Sequence, residues 1–502
     1  MLTLEIDLCQ LGASWRCEQQ ELRGAAGYLS PLNHPMTRTR MNVDHGVWRI
    51  EITERCAGTD SLLVEGDVAG IRFTAGTGGV CPLYLIVDGS VLRGSWNPAD
   101  LLSWVSPTRL VDAAVTRLLT RRQRYSANTM FDGLCKVTER ATVTADLNGL
   151  AVAYPEPAEH VIQARELRVG AEPVSVFGRL LAQRVSPLAA AEELELAVEI
   201  SGGLDSATVA TSMTRVGGLV GLRSAGLQVD GGIGEDQGAR RAAIARRLGL
   251  RDLEVSASAY LPFAAGGPRS VENPHYADGD VYAEAFDQLR LRLHDGGAQV
   301  VVTGFGGDEL MALRGSERGS GVAPLPPDLP SWLGERALDA MPDLDANIAP
   351  VSPVPVSALM VFAARNPAYI RYGLWPVAPL ADSGLLRLCE SLPVAWRRDK
   401  ALFRCYLGRA GFDQRVTHPD TVESFQFVME RAMRRTGRLM IEQMLDDSIL
   451  VDGGYVDRRP LELLRDKLIR DRAIPRLLYD TLAVERSLQS VRHAQQRNGM
   501  TR

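Results

Sequence analysis

Two stretches of this chain carry side chains that could do chemistry at spacings that could bring them together. The first is LAVEISGGLDS (196–206), an apolar strand-like run that passes through two glycines into a helical pattern. Backbone N–H groups in such a glycine turn can approach phosphate oxygens closely, and a helix that starts there adds partial positive charge. Ser201 and Ser206 add hydroxyl donors, and Gly202 and Gly203 shape the turn. Asp205 is out of place in an anion cradle unless a cation accompanies the phosphate, so the residues predict Mg²⁺ bridging Asp205 to a polyphosphate. The GxxxxGK[ST] pattern of the Walker loop is absent. The second stretch, VVVTGFGGDEL (300–310), also ends a strand in a glycine turn that holds an acid, Asp308. Ligands of parallel sheets sit at the carboxyl ends of strands, so two such tips predict a metal held between Asp205 and Asp308.

These motifs need a sheet to position them, and the surrounding pattern supplies one. From about residue 165, short apolar runs (194–200, 222–227, 252–255, 299–303) alternate with helical stretches (174–184, 207–216, 235–248, 281–294). That alternation predicts a parallel α/β sheet. Beyond about residue 330 the pattern is mainly helical, after a proline-rich loop at 322–330. Residues 1–160 read differently. Alternating runs at 2–6, 47–52, 71–75, 84–87, 91–96 and 141–145 predict a β-rich, sandwich-like domain. Asp88-Gly89 forms a hairpin turn between two of them, and one helix lies near 112–121. The prolines in YPEPAEH (154–160) mark a linker, giving domains of 1–160 and 165–502.

Composition narrows the function classes. The chain has 502 residues, 45% hydrophobic and 23% charged, which is ordinary for globular domains with a sizeable core. Fifty-six basic against 61 acidic residues leave a net charge of −5, so no bulk positive field draws nucleic acid or an anionic membrane. No apolar run is long enough for a membrane span, and the start has no signal-peptide pattern. The seven cysteines are spread singly and predict neither a disulfide framework nor a zinc site, which fits a reducing cytoplasm. Only three of the 56 basic residues are lysines (Lys136, Lys400, Lys467), so any step that needs a lysine has few candidates.

The pairing of SGGLDS with TGFGGDEL resembles the asparagine synthetase superfamily of ATP pyrophosphatases, whose members adenylate a carboxylate, release pyrophosphate and let an amine displace AMP. Further stretches are similar to the same family: GVCPLYLIVDGSVLRGSWNPADLL (79–102), TMFDGL (129–134), PLAD (379–382) followed by SLP (391–393), and Lys400 with Arg404. The resemblance implies an N-terminal glutaminase-like, Ntn-type sandwich and a C-terminal α/β ATP pyrophosphatase domain ending in helices. It implies that Ser201, Gly202, Gly203, Asp205 and Ser206 bind the pyrophosphate of ATP, that Asp205 and Asp308 hold Mg²⁺, and that Ala225, Thr303 and Gly304 lie beside the adenosine. Lys400 joins Asp205 and Asp308 as a catalytic candidate.

Departures from the family sharpen the expectation. Its glutamine-dependent members use an N-terminal cysteine, whereas position 2 here is leucine and Cys9 and Cys17 are internal. The N-terminal domain therefore resembles an inactive glutaminase, and the amine comes from another substrate. Position 305, which carries a catalytic Tyr in β-lactam synthetases, is Phe305 and moves no proton. A peptide α-amine, with a pKa of about 7.7–8, needs less help. These features resemble lasso peptide macrolactam synthetases, which join a peptide N-terminus to an Asp or Glu side chain; the tract LMIEQMLDDSILVDGGYV (439–456) looks like their tail. That branch implies a precursor peptide as substrate, with a leader peptidase and a leader-binding protein as partners. The family places a pyrophosphate-contacting lysine after Lys400 and Arg404, but 416–425 holds none, so Lys400 or Arg415 would stand in. His275, Tyr276, Asp278 and Asp280 are candidates for the substrate pocket. Glu235 and Asp236 read as first-turn acids of a helix, and Arg434, Arg435, Arg458 and Arg459 as solvated faces. Two other readings remain: a β-lactam synthetase-like or related ligase of small molecules, and a non-catalytic ATP-binding scaffold.

Overall fold

The computed structural model describes residues 2–55, 60–79, 82–217, 221–277, 280–318, 328–421, 424–470, 474–475 and 477–499. Its N-terminal part contains two antiparallel sheets. The seven-stranded sheet runs, in spatial order, through Cys135–Val137, Leu83–Asp88, Val91–Ser95, Leu2–Asp7, Gly27–Pro31, Glu21–Gly24 and Trp15–Glu18. The six-stranded sheet runs through Gly149–Ala153, Thr142–Asp146, Ile71–Ala75, Asp60–Gly66, Val47–Glu54 and Thr37–Asp44. Alternation explains the burial: Leu2, Leu4 and Ile6 point inward from one strand, and Trp48, Ile50 and Ile52 from another. The Trp15 and Trp48 rings meet at 5.5 Å and join the two sheets in a common core. The hairpin expected at Asp88-Gly89 is present, with Asp88 paired to Val91.

The C-terminal part is a five-stranded parallel sheet with helices. Its strands are β1 (Leu196–Glu199), β2 (Arg223–Gln228), β3 (Arg251–Ser256), β4 (Val300–Val302) and β5 (Trp375–Val377), in the order β3-β2-β1-β4-β5. All four pairings are parallel. Helix α1 (Leu204–Gly217) follows β1, α2 (Gly232–Leu248) follows β2, and α3 (Ala283–Asp295) precedes β4. Val300, Val301 and Val302 are fully buried, as a strand covered on both faces requires.

The structure adds a strand where the sequence shows a helical region. β5 lies beyond residue 330, is three residues long and contains Pro376, which weakens any strand signal; a proline is tolerated because β5 is the edge. Trp375 also ties the two parts together, its indole donating to Glu54 Oε1 at 3.0 Å. The segment 154–172 is free of helix and strand, as its prolines require, but it is pinned to the C-terminal part. Ala158 N–H donates to the Val351 carbonyl at 2.7 Å, and His160 Nδ1 lies 2.6 Å from Glu390. Most of the proline-rich loop, 322–327, together with Cys56 and Cys81, lies outside the described residues, among which the five cysteines are all free. No helix among the described residues is long and apolar enough to cross a membrane.

Candidate functional site

The two glycine turns lie side by side because β1 and β4 are neighbours in parallel register, Leu196 opposite Val300 and Val198 opposite Val302. Their approach depends on missing side chains. A Cβ on Gly304 would stand 2.8 Å from the Ser206 amide nitrogen, and one on Gly307 would stand 2.4 Å from Asp205 Cγ. The first loop is held by its own serines. Ser206 Oγ accepts from the Ser201 amide at 3.2 Å, and Ser201 Oγ accepts from the Gly203 amide at 3.3 Å. The Gly202 carbonyl accepts from Arg240 Nε at 3.3 Å, which anchors the loop to α2.

Lys400 connects the two acids. Its Nζ lies 2.7 Å from both Asp205 oxygens and 2.7 Å from Asp308 Oδ1. Lys400 is the N-cap residue of the helix Ala401–Arg409, and both Asp399 and Lys400 have positive φ, 51° and 55°. Non-glycine residues adopt that region at a cost of about 1–3 kcal/mol, and such strain collects at working sites. The Asp205 carboxyl is raised by burial, opposed by Lys400 and pushed further by Asp308 and Glu309. Burial pulls the Lys400 ammonium down, but Asp205 and Asp308 outweigh it and hold it above the ordinary lysine range. The two carboxylates therefore converge on one cation.

Asp205 and Asp308 line one cavity of about 430 Å³ at the carboxyl ends of β1, β2 and β4. Ser201, Ser206, Ala225 and Gly304 line it as well, so most of the expected site residues share one space. Thr303 does not; it is fully buried, and its amide donates to the Val377 carbonyl at 2.8 Å. Gly202 and Gly203 shape the loop without lining the cavity. Neither Lys400 nor Arg415 lines the cavity, but Lys400 touches both of its aspartates while Arg415 is exposed, so of the two suggested stand-ins Lys400 is the one beside the site.

The candidates upstream of β4 are placed elsewhere. His275, Tyr276 and Asp280 line a separate cavity of about 100 Å³, and Asp278 lies outside the described residues. Asp280 is an ion-pair anchor, with Oδ1 3.1 Å from Arg365 and Oδ2 3.3 Å from Arg290. Its carboxyl is raised by burial, but the guanidinium groups of Arg365 and Arg290 outweigh that and hold it below the ordinary aspartate range. Glu235 lies in the first turn of α2, as expected. Arg434 pairs with Glu430 and Arg458 with Glu462 on exposed helical faces.

Two charged cavity residues, Glu199 and Arg365, escaped the sequence. Glu199, at the tip of β1, is raised by burial despite a hydrogen bond from the Tyr369 hydroxyl and the nearby guanidinium groups of Arg365 and Arg290. Arg365 and Phe305 also line the cavity. The available signal was an acid in an apolar strand, LAVEI; nothing local marks Arg365, which comes from the helix Val356–Arg371.

The lining holds four acids, Glu199, Asp205, Asp308 and Glu309, against a single arginine among the described residues. With only Lys400 paired to Asp205 and Asp308 among the described residues, a polyphosphate in such a space calls for further cations. The donor set suits Mg²⁺, a hard cation that takes one or two carboxylates plus phosphate and water oxygens. No family model matches this chain, and no curated protein matches it.

Proposed function

We propose that the protein is an ATP-dependent, AMP-forming carbon–nitrogen ligase of the asparagine synthetase superfamily. In this reading the N-terminal sheets are a degenerate glutaminase-like domain and the C-terminal sheet an ATP pyrophosphatase domain. The reaction adenylates an Asp or Glu side chain of a precursor peptide, and the peptide's N-terminal amine closes a macrolactam, as in lasso peptide cyclases. The observation that carries this reading is the convergence of Asp205 and Asp308, 103 positions apart in the chain and both lining one cavity, on one ammonium. Leu2 supports it too. It is fully buried within a strand and paired to Pro31, so this position presents no nucleophile to glutamine.

Each residue then has a task. Ser201, Ser206 and the loop amides hold the pyrophosphate part of ATP. Asp205 and Asp308 would hold Mg²⁺, which would offset the charge of the phosphates. Lys400 supplies a further cation beside the departing pyrophosphate. Ala225 and Gly304 shape the adenosine end. The substrate carboxylate attacks the α-phosphorus and expels pyrophosphate. The amine then attacks the activated carbonyl, AMP leaves, and the amine's proton passes to a base. Glu199, whose carboxyl is raised by burial, lines the same cavity and fits that role. Enclosure of amine and carbonyl in one space supplies the proximity that ring closure demands.

The test incubates the full chain with Mg-ATP and synthetic candidate precursor peptides, together with separately expressed leader-binding protein and leader peptidase. Mass spectrometry should show loss of one water from the peptide with equimolar AMP and pyrophosphate. ADP and phosphate as products would overturn the assignment. Ring closure of a small amino-acid derivative in place of a peptide would shift it to a β-lactam synthetase-like enzyme. Nucleotide binding with no turnover of any substrate would leave a scaffold.

A further inference from the structure

The cavity has two chemically different ends. One is the acid-lined phosphate end already described. The other is walled by Phe286, Phe305, Ala358 and Val361 and carries the Arg365 side chain. The guanidinium lies 4.3 Å from the Phe286 ring centroid and 5.1 Å from that of Phe305. Two rings and one ion pair, to Asp280 at 3.1 Å, fix it as a planar fork against an apolar wall. It is 21% exposed, and among the described residues Asp280 is its only hydrogen-bond partner.

Among the described residues, Arg365 and Arg290 share a single ion-pair partner, Asp280. Glu199, within electrostatic reach of both, accepts a hydrogen bond from the Tyr369 hydroxyl and forms no ion pair with either guanidinium. Arg290 is sealed from solvent, so Arg365 is the member of the pair that meets the cavity. A single planar cation in an apolar setting, with one face of its fork committed, is matched by one carboxylate.

We propose that Arg365 is the recognition residue for the substrate carboxylate: it takes the acyl substrate as a free anion and holds it against Phe305 for attack on the α-phosphorus. This rests on the ligase reading and adds what that reading lacks, a residue that selects the carboxylate. Phe305 gains a role consistent with its chemistry. It moves no proton, but its ring orients the fork and keeps that end of the cavity dry. An amide or ester in place of the carboxylate leaves the fork without its partner, so such substrates are rejected.

The experiment compares wild type, R365A, R365K and R365Q. In R365A the buried Asp280 keeps Arg290 as its partner, and R365Q, neutral but closer to arginine in size, keeps the test decisive should R365A misfold. The probes are a fluorescent ATP analogue with Mg²⁺, for the nucleotide dissociation constant, and a pool of short synthetic peptides each bearing one Asp or Glu side chain. Hydroxylamine is the trap, and pyrophosphate release is followed against peptide concentration. The expected result is a nucleotide dissociation constant within threefold of wild type in all variants. The peptide KM should rise at least tenfold in R365A and R365Q, and R365K should recover part of that loss. An unchanged peptide KM overturns the proposal. A tenfold loss of nucleotide affinity with the peptide KM unaffected reassigns Arg365 to the α-phosphate and also overturns it. Absence of peptide-dependent pyrophosphate release from wild type defeats the ligase reading itself, a result distinct from either of these.

Discussion

Replacing Lys400 with methionine keeps the side chain's length and removes the cation between two carboxylates. The arm to Asp308 counts for little, because Asp308 is 83% exposed and water screens the pair. The arm to Asp205 is different. Asp205 is only 20% exposed and receives both 2.7 Å hydrogen bonds. Loss of charge-assisted hydrogen bonds to such a group costs about 1.5–3 kcal/mol, and the lower half applies because Lys400 is itself a quarter exposed. Each kcal/mol moves the melting midpoint of a large chain by roughly 2–4 °C. K400M should therefore melt roughly 3–8 °C below wild type in EDTA. The variant also leaves Asp205 and Asp308 without the ammonium that both contact, free to take up a divalent cation instead. With a dissociation constant of about 1 mM, Mg²⁺ at about 10 mM returns RT ln 11, or about 1.4 kcal/mol. Wild type, whose ammonium competes for the same oxygens, should gain less. The assay is differential scanning fluorimetry of both proteins in EDTA, in MgCl₂ and in NaCl of matched ionic strength. An unchanged midpoint for K400M in EDTA, or equal recovery in NaCl, would refute the reasoning that the two aspartates share one cation site.

Other outcomes follow from the same geometry. D308N should lower pyrophosphate release at least a hundredfold with a melting point close to wild type, because its side chain is exposed; a parallel fall in both would assign Asp308 a structural role. G307A places a Cβ 2.4 Å from Asp205 Cγ and should force the two loops apart, destabilising by about 1–3 kcal/mol and weakening Mg-ATP binding in calorimetry. Glu199 gives a pH test. Because its folded-state carboxyl is raised by burial, it favours the fold below the ordinary glutamate range and loses that contribution as pH rises through its folded pKa. E199Q should thus melt above wild type at pH 8 and match it near pH 4, and its rate of peptide ring closure should fall; a melting difference that does not change with pH would remove Glu199 from this account.

The sequence by itself determined the two glycine turns and the strand–helix alternation that carries them. Ser201, Asp205, Ser206, Gly304 and Asp308 are legible because each belongs to a local pattern at the end of an apolar run, whereas Ala225, inside the neighbouring strand, came from the family resemblance; the structure brings all six to one cavity. Lys400 was legible through the likeness of Lys400 and Arg404 to a family element, with the rarity of lysine leaving few competitors. Other features depended on distance in the chain. Strand β5 is three residues long, and its position at the edge, which lets it keep Pro376, is set by the neighbour it pairs with. His275 and Tyr276 share a segment with the chain that leads into the site, yet the fold turns them toward a second cavity and makes Asp280 a buried anchor. Arg365 and Glu199 meet across 166 positions, and no local pattern encodes that meeting. Strand tips and turns are written in short-range sterics and periodicity. The charge balance of a cavity is a sum over side chains that only tertiary packing brings within reach of one another, and burial then sets which of them keep their protons.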